Sequence, residues 1–159
     1  MGAKRVLVVA SLDDTQQRAV ASFRERLTAR GATVTDVAGE GTSDFLPFAQ
    51  KDGGVDALFL AVKGSSARLL MPKLAIAGLA GKPRVATSQL LSGTGKAEED
   101  RVLDGIAFPS EAWTTRGVPG LPPAAIAGSQ LNNAKGPAAR LFAFGFDACR
   151  RRSTHRRWR

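Results

Sequence analysis

Residues 5–11 read RVLVVAS, residues 13–31 read DDTQQRAVASFRERLTARG, and residues 32–37 read ATVTDV. The first run is unbroken and rich in β-branched residues, the composition of a strand covered on both faces of a parallel sheet. In the second, Asp13 and Asp14 are N-cap candidates, and Gln16 and Gln17 lie near the third helical position, where a capping box places a glutamine. Ala19, Val20, Phe23 and Leu27 recur at helical spacing and define one apolar face of a helix over 15–30. Gly31 closes it as a C′ glycine, and 32–37 follows as a second strand. These residues spell one βαβ unit.

The pattern continues downstream. A short helix is predicted over 44–50, capped by Ser43, and Gly53 and Gly54 break the chain after it. VDALFLAV at 55–62 reads as a buried strand. A helix over 67–77 takes Ser65 or Ser66 as its cap, and Pro72 lies inside it, where a proline removes a hydrogen bond or kinks the axis. Gly78 and Gly81 end that helix. Strands at 84–87 and 105–108 flank a glycine loop over 92–96 and a helical turn over 98–103. This alternation predicts an α/β fold over residues 1–112, a parallel, doubly wound (flavodoxin-like) sheet with helices on both faces. Residues 113–149 read as an irregular arm rich in Gly and Pro that ends in an apolar helix over 138–149, and residues 150–159 as a disordered basic tail.

A chain of 159 residues with 43% hydrophobic content fits one globular domain. No apolar run approaches the roughly 18 residues of a membrane span. One cysteine and one histidine exclude an internal disulfide, a four-ligand Cys/His zinc site and most histidine-based catalysis. The 23 basic and 14 acidic residues give a net charge of +9, but the last ten residues hold six arginines and no acid. The rest carries 17 bases against 14 acids, a balance of +3. Affinity for nucleic acid or anionic lipid would therefore belong to the tail, and no specific nucleic-acid site is expected on the domain. The chain enters its first strand directly, without the apolar stretch and cleavage site of a signal peptide.

The motifs for chemistry are incomplete. SGTGK at 92–96 resembles the end of a phosphate-binding loop, but Leu90 stands at the first glycine position and Ala97 replaces the Ser or Thr that would hold magnesium. No G-x-G-x-x-G follows the first strand, and Asp13 and Asp14 set carboxylates where a pyrophosphate would sit. There is no G-x-S-x-G elbow. Cys149, on an apolar helix, reads as a small hydrophobe. Acidic residues after the first strand also suit a phosphoryl-accepting receiver domain, but the third strand ends Val62-Lys63 where a receiver needs an aspartate. The reading is a non-enzyme without cofactor or metal.

Residues 55–113 carry a further pattern. A strand leads into an ARLLMPKL helix with its internal proline, then a GKPRVATS strand, SG, DRVLDGIAF and a closing Trp113. RVLVVAS and QQRAVASFRERLTARGATV before it, and RLFAFGFDA after it, keep the same order. Over about residues 5–149 the chain resembles the C-terminal domain of the LppC/LpoA lipoproteins, outer-membrane activators of penicillin-binding proteins. That domain is similar to the type I periplasmic binding proteins. The resemblance implies one lobe of a type I periplasmic-binding-protein fold. It also implies a non-catalytic regulator of peptidoglycan synthesis, which activates a class A penicillin-binding protein by protein–protein contact at the periplasmic face of the outer membrane. The family's signal peptide, lipidated cysteine and first lobe are not in this sequence, so the chain reads as an excised C-terminal portion, tied to the outer membrane only through a lipid anchor it lacks. The ending RRRSTHRRWR departs from the family and suits a frameshift.

A second function is carried alongside, a small-ligand (amino acid or sugar) binding lobe of a periplasmic solute receptor. Ligands in such folds sit at the carboxyl ends of the strands, which here offer Ser11, Asp13, Lys63, Gly64, Ser65, Ser88 and Gln89. Trp113 and Arg116 are of the types that anchor protein interfaces.

Overall fold

In a computed structural model, residues 2–51, 53–90, 97–110 and residues 141, 142 and 145 are described. Five strands form one wholly parallel sheet: β1 (Arg5–Ala10), β2 (Thr33–Gly39), β3 (Ala57–Ala61), β4 (Arg84–Ala86) and β5 (Ile106–Ala107). Their spatial order is β2-β1-β3-β4-β5, the flavodoxin-like order, in which the winding reverses between β1 and β3. The helices are α1 (Asp14–Thr28), α2 (Leu46–Gln50), α3 (Gly64–Ile76) and α4 (Ala97–Asp100), with 3₁₀ turns at Ser88–Leu90 and Arg101–Leu103.

The sheet is doubly wound because alternate residues of its inner strands are apolar on both sides. Val6, Val8 and Ala10 of β1 join Phe59 and Ala61 of β3 under α1, where Val20, Phe23 and Leu27 pack. Phe23 lies flat on Phe59, with ring centroids 4.0 Å apart. Leu7 and Val9 join Leu58 and Leu60 on the opposite face, under Ala67, Leu70, Met71 and Leu74 of α3. Phe45 and Leu103 pack on this second face, and Phe45 is wholly buried there. β2 is at the edge of the sheet among the described residues and has only Ala38 fully buried; its pairing with β1 slips by one residue at Thr35.

Two local expectations change. Ser43 does not cap α2; Phe45 holds the cap position without a side-chain cap bond, and the Asp44 carboxylate before it accepts the Leu46 N–H at 2.8 Å. Ser65 and Ser66 do not cap α3, which starts earlier, at Gly64, with Lys63 in the cap position and no side-chain cap. Pro72 lies inside α3, as the sequence predicts, and the helix runs on past it to Ile76. Pro72 faces solvent, so water can satisfy the Arg68 carbonyl that loses its helical partner. Gly78 adopts a φ of 75° beyond that helix, and the Leu79 N–H closes the motif on the Leu74 carbonyl at 2.9 Å.

The start of β1 is fixed by Asp56. One of its carboxylate oxygens accepts the N–H groups of Lys4 and Arg5 at 3.0 and 2.9 Å, and the other faces the Arg5 guanidinium at 3.4 Å. The Arg5 backbone N–H, then that of Lys4, hold the Asp56 carboxyl below its ordinary pKa.

The strands and helices up to Pro109 belong to one compact unit. The apolar arm helix predicted over 138–149 lies mostly outside the described residues; Leu141, Phe142 and Gly145 are helical, and Leu141 is exposed. The 92–96 loop, the rest of the arm and the 150–159 tail lie outside them. Among the described residues, no helix is long and apolar enough to cross a membrane.

Candidate functional site

The carboxyl ends of β1, β3 and β4 come together beside the reversal point of the sheet. Ser11 continues β1, its N–H bonded to the Ala61 carbonyl of β3 at 3.0 Å. Thr87 continues β4, its N–H bonded to the Leu60 carbonyl of the same strand at 3.2 Å. β3 thus anchors the chain on either side of it.

Asp13 caps α1, its carboxylate accepting the Thr15 N–H at 2.9 Å. Its second oxygen faces the Lys63 ammonium at 3.5 Å, an ion pair that spans the reversal point between β1 and β3. The Thr15 N–H, foremost, and the Lys63 ammonium hold the Asp13 carboxyl below its ordinary pKa. Gly64 is buried at the start of α3, and Ser65 beside it is exposed.

The two glutamines do not form a capping box. Gln17 donates to the Ser11 carbonyl at 2.6 Å. Gln16 turns inward, is 1% exposed, and donates to the Gln89 side-chain carbonyl at 3.1 Å, across the edge of the sheet. Its own carbonyl oxygen is buried with no partner within the protein, as are the hydroxyls of Ser11 and Thr87. A buried polar atom left unpaired costs about 1–3 kcal/mol. Three such atoms lie at this sheet edge, and the other two among the described residues are the Nε atoms of Arg68 in α3 and Arg84 at the start of β4.

Of the predicted residues, Ser11, Asp13, Lys63, Gly64, Ser65, Ser88 and Gln89 therefore all fall at this edge, with Asp13–Lys63 directly paired. Trp113 and Arg116 lie outside the described residues. Sequence reasoning did not offer Gln16, Thr87 or Leu12 as members of this edge; Leu12, between Ser11 and Asp13, is 92% exposed. Leu12 had a signal: an apolar residue in an otherwise polar turn. Among the described residues, no group of His, Cys, Asp and Glu side chains is placed to hold a metal ion.

No protein-family model and no curated protein matches the chain. Solved structures do. A putative branched-chain amino acid ABC transporter protein from Rhodospirillum rubrum superposes with a TM-score of 0.67 at 18% identity, over 91% of this chain and 42% of its own. The leucine binding protein LivK from Thermotoga maritima gives 0.64 at 18% identity, over 87% of this chain and 40% of its own. A solute binding protein from R. palustris, solved in complex with 4-hydroxybenzoate, gives 0.50 at 23% identity, over 63% of this chain and 29% of its own. The chain thus spans about two fifths of the length of the first two. Its fold is that of one lobe of a type I periplasmic binding protein. The neighbours share the fold that the resemblance implies, and they do not reach the LppC/LpoA family.

Proposed function

We propose that this chain is a ligand-binding lobe of the periplasmic solute-receptor type, without chemistry of its own, and that its ligand sits at the edge formed by Ser11–Gln16, Lys63–Ser65 and Thr87–Gln89. The observation that carries this is the set of buried, unpartnered polar atoms of Ser11, Gln16 and Thr87. They lie where open α/β sheets bind ligands, beyond the strand ends at the reversal point. The neighbours described as solute-binding proteins support the reading, and with them a periplasmic setting. The preference between the two expected functions is accordingly reversed. The test is a heteronuclear NMR titration of the chain with amino acids, aromatic acids and sugars at millimolar concentration. Saturable shifts of the Ser11–Gln17 and Thr87–Gln89 amides with any of them are expected. No shift with every class removes the proposal.

A second reading rests on the order of motifs over residues 55–113: the intact parent protein activates a class A penicillin-binding protein from the outer membrane. Its test is a peptidoglycan synthase assay with the parent and its cognate enzyme, in which stimulated glycan polymerisation is expected and unchanged rates reject it.

A further inference from the structure

The outer face of α3 carries no charge. Its exposed positions are Ser65, Leu69, Pro72, Ala75 and Ile76, with Leu69 72% and Ile76 86% exposed. The helix has two charged residues, and both are drawn off that face. Arg68 turns to one side, where it holds Glu99 at 2.9 Å and Asp100 at 3.4 Å. Lys73 turns to the other, where its ammonium donates to the Thr42 carbonyl at 3.1 Å. On the opposite side of the sheet, α1 exposes Asp14, Arg18, Arg24, Glu25 and Arg26, as the solvent face of a helix ordinarily does. Leu46 of α2 and Val102 of the turn after α4 are exposed on the α3 side, and their chain neighbours Phe45 and Leu103 pack into the same core as α3. An apolar surface of this kind, with its charges at the rim, has the composition of an interface.

From this we infer that the outer face of α3 pairs with the same face of a second copy of this chain, the two helices running antiparallel about a two-fold axis beside Pro72. The inference is independent of the ligand-lobe reading. Ser65, Leu69, Pro72 and Ile76 follow one another at intervals of 4, 3 and 4 residues, the spacing of a two-helix seam. A two-fold axis sets a face against itself, so a charge close to the axis meets its own like. Lys73 is the charge nearest this axis, and its bond to Thr42 draws it aside and leaves the seam neutral. Antiparallel pairing places the uncapped amino end of each α3 beside the carboxyl end of the other, where the helix dipoles attract. It also sets Leu69 against the partner's Ile76, and Ile76 against the partner's Leu69.

The area decides how strong the pairing is. α3 is about 20 Å long at 1.5 Å per residue, and with α2 and the turn after α4 beside it, each roughly 10 Å across, the face covers about 600 Å² per copy. Two copies then bury about 1,200 Å², the lower bound for a specific complex and well below an obligate dimer. This suits a chain that folds alone and dimerises reversibly, with a dissociation constant of about 10–500 μM. The edge with Ser11, Gln16 and Thr87 lies at the amino end of α3, so antiparallel pairing points the two edges in opposite directions and leaves both open.

The experiment is sedimentation equilibrium of the full chain from about 10 μM to 1 mM, a range that brackets the expected constant. The mean mass should rise from that of one chain towards that of two. Leu69→Glu and Ile76→Lys, each at an exposed position, should keep the circular dichroism spectrum and the melting temperature and each weaken self-association at least tenfold. An equimolar mixture of the two variants should associate again, because the antiparallel seam sets the new glutamate against the new lysine and keeps one Leu69–Ile76 contact. Arg24→Glu, on α1, should leave the association unchanged. A wild type that stays one chain throughout the range overturns the inference and gives the face to another occupant. Self-association that neither α3 substitution weakens, or that Arg24→Glu abolishes, places the interface elsewhere and overturns it too. Weakening by both without recovery in the mixture overturns the antiparallel pairing.

Discussion

Ser11 and Asp56 sit at opposite ends of the central strands and have opposite relations to stability. The Ser11 hydroxyl is buried and unpaired, so Ser11→Ala removes a polar atom that nothing in the protein satisfies. The urea midpoint of that variant should equal or exceed that of the wild type, by up to about 1 kcal/mol. A marked loss would show that the hydroxyl is satisfied in solution. Asp56 is the reverse case, a carboxylate accepting two backbone N–H groups and facing a guanidinium. Its folded pKa is depressed, so its contribution is fully present above the unfolded-state value of about 3.9 and fades as pH falls through the lower folded value. Asp56→Asn should therefore lower the melting temperature at neutral pH, and the gap to wild type should close in acid, below about pH 4. Melting curves from neutral pH down to pH 2.5 check this; a gap that stays constant would contradict it. Sequence reading reached Asp13 as a cap because capping is local, set by residues two or three apart. It reached Gln16 only as a member of a capping box. The partner that turns Gln16 inward, Gln89, lies 73 residues on, and only the strand order brings the two together.

At the scale of the element, α3 is the least conventional piece. It begins on Lys63 without a side-chain cap, carries Pro72 in its interior, and still packs Leu70, Met71 and Leu74 into the core. Tertiary burial outweighs local preference here. Since Pro72 is exposed and adds only a missing hydrogen bond to the helix, Pro72→Ala should stabilise the protein by about 1–2 kcal/mol, less than the full helix-propensity difference because the unfolded chain regains freedom. Chemical denaturation measures it. A destabilised variant would mean that the proline ring makes contacts of its own. The existence of the elements was legible in β-branched runs and helical spacing. Their starts were less so: serines at 43, 65 and 66 are equally good caps on paper, yet Phe45 and Lys63 hold the cap positions, with no side-chain cap bond in either helix.

At the scale of the whole molecule, the sheet order was legible because each parallel crossover has one permitted hand and the helices must cover both faces. The ligand was not, because its recognition depends on which polar atoms are left without partners after packing. The same order has a consequence for the chain's internal opening. β1 is hydrogen-bonded along both sides, by β2 and by β3, whereas β5 is two residues long and, among the described residues, has a single neighbour, β4. The amides of Val8 and Val9 should exchange with deuterium only through global unfolding, while those of Ile106 and Ala107 exchange through a local event of far smaller free energy. Peeling then starts at β5 and passes to β4, whose carboxyl end carries Thr87 and, two residues on, Gln89. A ligand bound against Thr87 at the end of β4 should slow exchange in β5, its neighbour in the sheet, so that protection at Ile106 reports occupancy of the site.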